Sequence, residues 1–171
     1  MYEFTLKFHL PKTAGDPSSY LDGLYEAGCD DATIGVGKQG LIALEFAREA
    51  ASANDAVKSA IKAVKKAIAK ASLVEIAPDL VDLVDLAELL GCTRQNMQKY
   101  AAGQIRSVQE PFPDPIATGN PNLYRLAEIV TWFARNTELQ PVPELIELAR
   151  TTSSISLDIQ RQRLEQLAAA E

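Results

Sequence analysis

Hydrophobic and polar residues alternate along the first ten positions of the chain. The apolar positions are Tyr2, Phe4, Leu6, Phe8 and Leu10, and the polar positions between them are Glu3, Thr5, Lys7 and His9. A period of two residues is typical of a strand that buries one face and exposes the other. The pattern therefore predicts a half-buried β-strand over residues 2–10.

Helical and strand patterns then follow one another. After Pro17, apolar side chains recur at helical spacing as far as Gly28, a residue that suits a helix end because it adopts positive φ at little cost. Residues 33–36 and 41–46 are predicted strands, and the turn Gly37-Lys38-Gln39-Gly40 between them predicts a tight hairpin.

A long segment rich in Ala and Lys comes next. Its apolar positions fall on one stripe of a predicted helix: Val57, Ile61, Val64 and Ile68. Residues 73–76 then predict a short last strand. The order β-α-β-β-α-β over residues 1–78 is that of the ferredoxin-like sandwich, in which two helices cover one face of an antiparallel sheet. Because many unrelated proteins use this topology, it indicates no function by itself.

Three roles for this N-terminal domain stay open. Stacking of RNA bases is disfavoured, because the aromatic residues of the first strand share the face of Leu6, which must pack under the helices. A row of lysines on the long helix can contact a phosphate backbone, although such a row is more often a solvated face. Its members are Lys58, Lys62, Lys65, Lys66 and Lys70. The third role is a ligand-sensing or dimerising module with a protein or small-molecule partner.

The most specific pattern of the chain lies in residues 83–100. Ala87 is small where two helices must approach, Gly91 tolerates a left-handed turn between them, and Thr93 is a good N-cap for the second. Apolar residues close the angle at inward-facing spacings, namely Leu86, Leu90, Cys92, Met97 and Tyr100. We predict a helix-turn-helix over residues 81–102.

The second of these helices presents polar side chains suited to reading bases. They are Arg94, Gln95, Asn96, Gln98 and Lys99. Arginine binds guanine, and asparagine or glutamine binds adenine, through paired hydrogen bonds in the major groove. Residues 93–96 lie at the helix N-terminus, where recognition helices present such groups and where the helix dipole favours phosphates. The alternative is an ordinary pair of amphipathic helices joined by a glycine.

The residues that follow carry a family resemblance. Phe112-Pro113-Asp114-Pro115-Ile116 is similar to the start of a wing, Gly119 to Asn122 to its turn, and Ala127 to Phe133 to the helix packed behind it. Residues 80–136 thus resemble the winged helix-turn-helix of MerR and phage-excisionase regulators.

This resemblance implies sequence-specific binding of duplex DNA. By it, Arg94, Gln95, Asn96 and Gln98 read bases, and Thr93 belongs to the same DNA-binding surface at the start of the helix. Lys99 and Arg106 anchor phosphates, and Arg106 or Arg125 supplies the contact of the wing. Base contacts alone would give specificity. Because one helix with few cations binds weakly, two half-sites and a homodimer are expected.

Charge and composition narrow the class of protein. The net charge of −6 argues against indiscriminate coating of nucleic acid, yet residues 91–109 hold Arg94, Lys99 and Arg106 without an acidic residue. No run approaches the roughly 18 apolar residues of a membrane span, and the first residues do not resemble a signal peptide. Cys29 and Cys92 lie far apart and are interpreted as small core residues in a reducing compartment. The sequence predicts a cytoplasmic protein without a disulfide.

The C-terminal segment, residues 139–171, is predicted to be helical after Pro141 and Pro143. Its apolar positions are spaced by three and four residues, as in a coiled-coil seam: Leu145, Leu148, Thr152, Ile155 and Ile159. Pairing of two subunits and packing within one chain are both compatible with this short pattern.

The sequence predicts an α+β protein that binds DNA and is not an enzyme. Its expected parts are a ferredoxin-like domain (1–78), an all-helical winged helix-turn-helix domain (79–138) and the C-terminal segment. No catalytic constellation, metal-ligand spacing or cofactor motif is apparent, since His9 is the single histidine and the cysteines are not spaced as ligands. The expected function is transcriptional regulation. The alternative is an antitoxin-like or accessory protein whose helix-turn-helix is a docking scaffold.

Overall fold

The computed structural model describes residues 1–11, 16–36 and 40–170. Within this described part, the chain divides into two compact units. Unit 1 comprises residues 1–77 and the segment from residue 154 onward, and unit 2 comprises residues 78–153. Helices and strands occur together, so the predicted α+β class is confirmed. Residues 139–171, grouped as one segment by their sequence, contribute to both units.

Unit 1 is built on an antiparallel sheet. Its strands are β1 (Tyr2–His9), β2 (Ala32–Gly35), β3 (Leu41–Arg48) and β4 (Ser72–Ala77), in the order β2-β3-β1-β4. In the register of the sheet, Leu6 of β1 lies opposite Leu44 of β3 on one side and Ile76 of β4 on the other. These three side chains are buried together, so the alternation in the sequence sets which face carries the core.

The half-buried strand predicted for the start of the chain is confirmed. Along β1 the even-numbered residues are buried, while Glu3 and His9 are exposed. Phe4 stacks on Phe46 of β3 with ring centroids 5.2 Å apart, and Phe8 is fully buried. Because a shift of one residue would turn every one of these side chains to the opposite face, this pattern fixes the strand register.

In the described part of unit 1, three helical segments precede β4. A short 3-10 helix (Pro17–Tyr20) leads into α1 (Leu21–Glu26), and α2 (Ala53–Ala67) follows β3. The side chain of Ser52 accepts a hydrogen bond from the Asp55 amide and caps α2. Helix α2 contacts both α1 and β1.

Small side chains let α2 lie close to its neighbours. Its buried residues are Ala53, Ala56, Val57, Ala60, Ala63 and Val64.

At the hairpin between β2 and β3, Gly40 has a φ of 80°. The predicted turn residues Gly37, Lys38 and Gln39 lie outside the described residues.

Arg48, at the end of β3, is a buried cation that ties several segments of unit 1 together. Its Nε and Nη2 donate to the two carboxylate oxygens of Asp31, each at 2.7 Å. Its Nη1 donates to Ser59 Oγ at 3.1 Å, Nη2 also donates to the Gly28 carbonyl, and the guanidinium lies 4.8 Å from the Phe46 ring centre. The paired bonds to Asp31 raise the pKa of Arg48 above its already high value.

Unit 2 contains short strands and helices. The strands are β5 (Leu80–Val81) and β6 (Tyr124–Arg125), and the helices are α3 (Leu83–Leu89), α4 (Arg94–Ala101), α5 (Leu126–Asn136) and α6 (Pro143–Ala168), the last continuing beyond the unit. The prediction of an all-helical domain is wrong, because β5 pairs antiparallel with β6. A strand of two residues is too short to produce a recognisable alternation in the sequence.

The first half of α6 belongs to the core of unit 2. Leu145, Leu148 and Thr152 are buried, and the Thr152 hydroxyl donates to the Pro78 carbonyl at 2.6 Å. These three positions of the predicted seam therefore pack within the chain. Leu157, Leu164 and Leu167, further along α6, are exposed. No helix in the described part of the chain combines the length and apolarity needed to cross a membrane.

We expect Arg48→Met to lower the free energy of unfolding by about 2 kcal/mol, because it leaves the Asp31 carboxylate without its partner. The matched control is Lys7→Met, which breaks the ion pair between Lys7 and Glu75. That pair is about half exposed, at 43% and 53%, against 10% and 29% for Arg48 and Asp31. The control should cost less than about 1 kcal/mol. Urea denaturation measures both, and equal costs would contradict this interpretation.

Candidate nucleic-acid interface

The α3–α4 corner is held by local hydrogen bonds. Asp82 caps α3 by accepting from the amides of Val84 and Asp85, and the Asp85 carboxylate accepts from the Asp82 amide in return. After α3, Gly91 has a φ of 64°, and the Cys92 amide donates to the Ala87 carbonyl at 2.9 Å. These bonds satisfy the end of one helix and direct the chain into the next.

The inward side of the corner is apolar, as its spacing predicts. Leu86, Ala87 and Met97 are buried, while Leu90, Cys92 and Tyr100 are partly buried against the same core. Burial raises the pKa of the Cys92 thiol. Cys29 and Cys92 are both free thiols.

The outward side of α4 is polar. Thr93 caps the helix, its Oγ1 accepting from the Asn96 amide at 3.1 Å. We call the side chains of Arg94, Gln95, Asn96, Gln98 and Lys99 the polar face; Asn96 is half-buried and the other four are exposed. Within the described residues, no member of the polar face forms a side-chain hydrogen bond or ion pair. Their donors and acceptors are therefore available to a ligand.

Residues 111–123, which include the positions predicted for the wing, form a hydrogen-bonded loop. The Ile116 amide donates to the Leu123 carbonyl at 2.8 Å, and the Leu123 amide donates to the Ala117 carbonyl at 2.9 Å. At the tip, Asn122 Oδ1 accepts from the Gly119 amide, and the Asn120–Pro121 peptide is cis. We call residues 111–123 the wing segment. Its paired ends form a narrow loop that leads into β6.

An aromatic cluster joins α4 and the wing segment to α5. Its members are Tyr100, Phe112, Tyr124, Trp132 and Phe133. Tyr100 of α4 meets Phe133 edge-on at 4.9 Å, and Phe112 of the wing segment meets Trp132 edge-on at 5.2 Å. Trp132 Nε1 is buried and, within the described residues, has no acceptor. Edge-to-face contacts at these distances stabilise the orientation of both rings.

Among the predicted contact residues, Arg125 is placed unlike the others. Its Nη1 donates to both carboxylate oxygens of Asp79, at 2.7 and 2.9 Å, and its side chain is only 11% exposed. Ser153 also donates to Asp79, and the Leu126 amide donates to the Asp79 carbonyl. We therefore leave Arg125 out of the candidate interface. No local pattern marks Asp79 as its partner, because the two residues are 46 positions apart.

Arg106 lies between α4 and the wing segment and is exposed. Together with Arg94 and Lys99 it makes a group of cations for which, in the described part of unit 2, no acidic partner lies within ion-pair distance. Arg94, Lys99 and Arg106 are thus accessible to a ligand, whereas Arg125 is held by Asp79.

No family model, curated protein or solved structure matches the chain. The site is therefore interpreted from its own geometry. Among residues 1–11, 16–36 and 40–170, no group of His, Cys, Asp and Glu side chains is arranged to hold a metal ion. The α3–α4 corner presents amide and guanidinium groups on a short helix whose other side is packed in the core.

Gly91→Ala should lower the free energy of unfolding by about 1 kcal/mol, because alanine disfavours the positive φ of this position. A Cβ placed there meets no atom within 4 Å, so the cost is conformational rather than steric. Gly91→Asn is the control and should cost less, because asparagine tolerates this conformation better. Thermal or urea unfolding measures both. Equal losses for the two variants would contradict the role given to this turn.

Arg125→Gln should destabilise the fold by about 2–3 kcal/mol, because Asp79 would remain buried without a cation. The comparison is Arg106→Gln, which removes an exposed charge and should change stability by less than about 0.5 kcal/mol. Both are measured by urea denaturation. If Arg125→Gln is as stable as Arg106→Gln, the Asp79 pair has no structural role.

Proposed function

We propose that this protein is a transcriptional regulator that binds duplex DNA sequence-specifically, with α4 in the major groove. The observation that carries the proposal is the polar face of α4, whose side chains are without partners in the described residues and stand on a helix that is buried on its other side. A surface helix needs polar groups, but it does not need this set. Guanidinium and carboxamide groups are those that read base edges by paired hydrogen bonds.

In the proposed complex, the start of α4 lies nearest the bases. Arg94 reads a guanine and Gln95, Asn96 or Gln98 an adenine, while Thr93 lies at the edge of the groove and Lys99 contacts phosphate. The N-terminus of a helix also favours phosphate through its dipole and free amides. Only the base contacts discriminate sequence, and the phosphate contacts set position and affinity.

The wing segment gives the proposal its second part. The resemblance to MerR and excisionase regulators implies that a winged helix-turn-helix fills residues 80–136 and that the wing approaches DNA beside α4. Phe112 anchors the segment on Trp132. With Arg125 held by Asp79, Arg106 is the cation proposed for the backbone contact next to the wing.

We further propose that two copies bind together. A single short helix with Arg94 and Lys99, together with Arg106 beyond its end, buries too little surface for a useful specific affinity, which paired half-sites supply. A ferredoxin-like arrangement of unit 1 would then serve contact with a second copy, another protein or a small molecule.

A docking scaffold for another protein is the alternative, and the acidic balance of the chain favours it. The net charge is −6, and Asp82, Asp85 and Glu88 belong to α3 or its cap, the helix that precedes α4. These acids repel phosphate at long range, so DNA binding by α4 depends on close contacts. Salt dependence and sequence preference separate the two functions.

The proposal is tested by selecting ligands for the full chain from a random duplex library. We expect a preferred sequence, bound more weakly by about 100-fold after Arg94→Ala combined with Lys99→Ala, because a base contact and a phosphate contact are lost. Fluorescence anisotropy with the selected duplex gives the Kd at several salt concentrations.

The matched control is Arg135→Ala combined with Arg150→Ala. These residues are also exposed cations of unit 2 but belong to α5 and α6, so the control removes the same net charge from other helices. It should bind within about threefold of the original chain, since exposed charges that do not touch the ligand are largely screened. Failure to enrich any duplex, or equal losses in both variants, would reject DNA binding by α4.

A further inference from the structure

The lysine row of α2 and the turn that follows it is a second cationic surface, in unit 1. Lys58, Lys62, Lys65, Lys66 and Lys70 are all exposed, whereas Val57, Ala60, Ala63 and Val64 of the same helix are buried. Residues three and four apart are neighbours on a helix surface, so the row forms one side of α2. From Lys58 to Lys66 it runs for about 12 Å, at 1.5 Å for each residue.

No acidic residue interrupts this surface along the chain. The sequence holds five lysines and no Asp or Glu between residues 56 and 74. Elsewhere, 12 Lys and Arg residues are outnumbered by all 23 Asp and Glu residues. In the described residues, no member of the row has an acidic group within ion-pair distance. Positive charge is thus concentrated here in an otherwise acidic protein.

A solvated helix face does not require this arrangement. Like charges four residues apart destabilise a helix, as in Lys58 with Lys62 and Lys62 with Lys66, and alternating signs would serve solubility better. The helix dipole accounts for Lys65 and Lys66, which lie in the last turn of α2. The helix dipole does not account for Lys58 and Lys62, which lie before the last turn. A polyanionic ligand that neutralises the whole row would account for all of these lysines.

We propose that the lysine row binds the phosphodiester backbone of duplex DNA, independently of sequence. Duplex DNA carries one negative charge per roughly 1.7 Å of its axis, so a row of about 12 Å faces several phosphates. Lysine suits this ligand because its ammonium group acts as a point charge without demanding a fixed hydrogen-bond geometry. The choice of duplex DNA as ligand rests on the proposed function, whereas the residues are those of a different helix and unit.

The test is the salt dependence of binding to a duplex of arbitrary sequence by the full chain. Neutralising Lys58, Lys62 and Lys66 to Gln should make the slope of log Kd against log salt shallower by about 2 to 3, because about 0.9 counterion is released for each phosphate neutralised. Glutamine keeps the helix propensity of lysine, so α2 should form normally, and circular dichroism checks this. The same three lysines replaced by Arg should keep the original slope.

The charge-matched control replaces Arg135, Arg150 and Arg161 by Gln, all of them exposed. It should leave the slope unchanged. An unchanged slope in the lysine variant, or an equal change in the control, would overturn the inference. The inference would also be overturned if the lysine variant lost binding to vesicles of anionic lipid while its duplex binding stayed intact, since the row would then be a membrane contact.

The two proposals fail differently. If the lysine variant keeps its slope while Arg94→Ala with Lys99→Ala abolishes selection of a sequence, the lysine inference is wrong and the function of α4 stands. If the slope falls as expected while the α4 variant binds the selected duplex like the original chain, the function of α4 is wrong and the lysine contact stands. Absence of any duplex binding overturns both.

Discussion

The edge-to-face packing of Tyr100 and Phe112 against the rings of α5 is the interaction on which the candidate interface depends. Tyr100 lies near the end of α4, and Phe112 lies near the start of the wing segment. Both rings contact Trp132 and Phe133, so α4 and the wing segment pack against the same aromatic side chains of α5. A helix of eight residues is too short to be stable by itself in water, so this packing holds the polar face in place.

The same core explains why the outer side of α4 is free to be polar. Met97 is fully buried and Leu86 of α3 lies in the same cluster, which supplies the apolar contact that anchors the helix. The residues that point away then contribute little to folding, because exposed side chains usually change stability by less than about 0.5 kcal/mol. The choice of Arg, Gln, Asn and Lys at those positions is therefore open to selection for a ligand.

Sequence reasoning succeeded where a single local constraint decided the structure. The alternation in residues 2–10 determines a strand register, Gly91 has the positive φ that favours glycine, and the Thr93 side chain caps the helix that follows. It failed where the structure depends on contacts between distant residues. The pairing of β5 with β6 and the burial of Arg125 by Asp79 both join positions more than 40 residues apart. The spacing in α6 was ambiguous, because a coiled-coil seam and a core-facing helix share it.

The contrast between arginines shows why residue type alone does not identify a binding surface. Arg48 and Arg125 have the same guanidinium as Arg94, yet each is held by a carboxylate in a largely buried place. A guanidinium already paired with a carboxylate must give up that partner to meet a phosphate, and its separation from a buried carboxylate is strongly unfavourable. Arg94 is exposed and has no such partner to give up. Burial and partners, rather than composition, therefore decide which cations of this acidic chain are accessible to a ligand: Arg48 and Arg125 are not, whereas Arg94, Lys99 and the lysine row of α2 are.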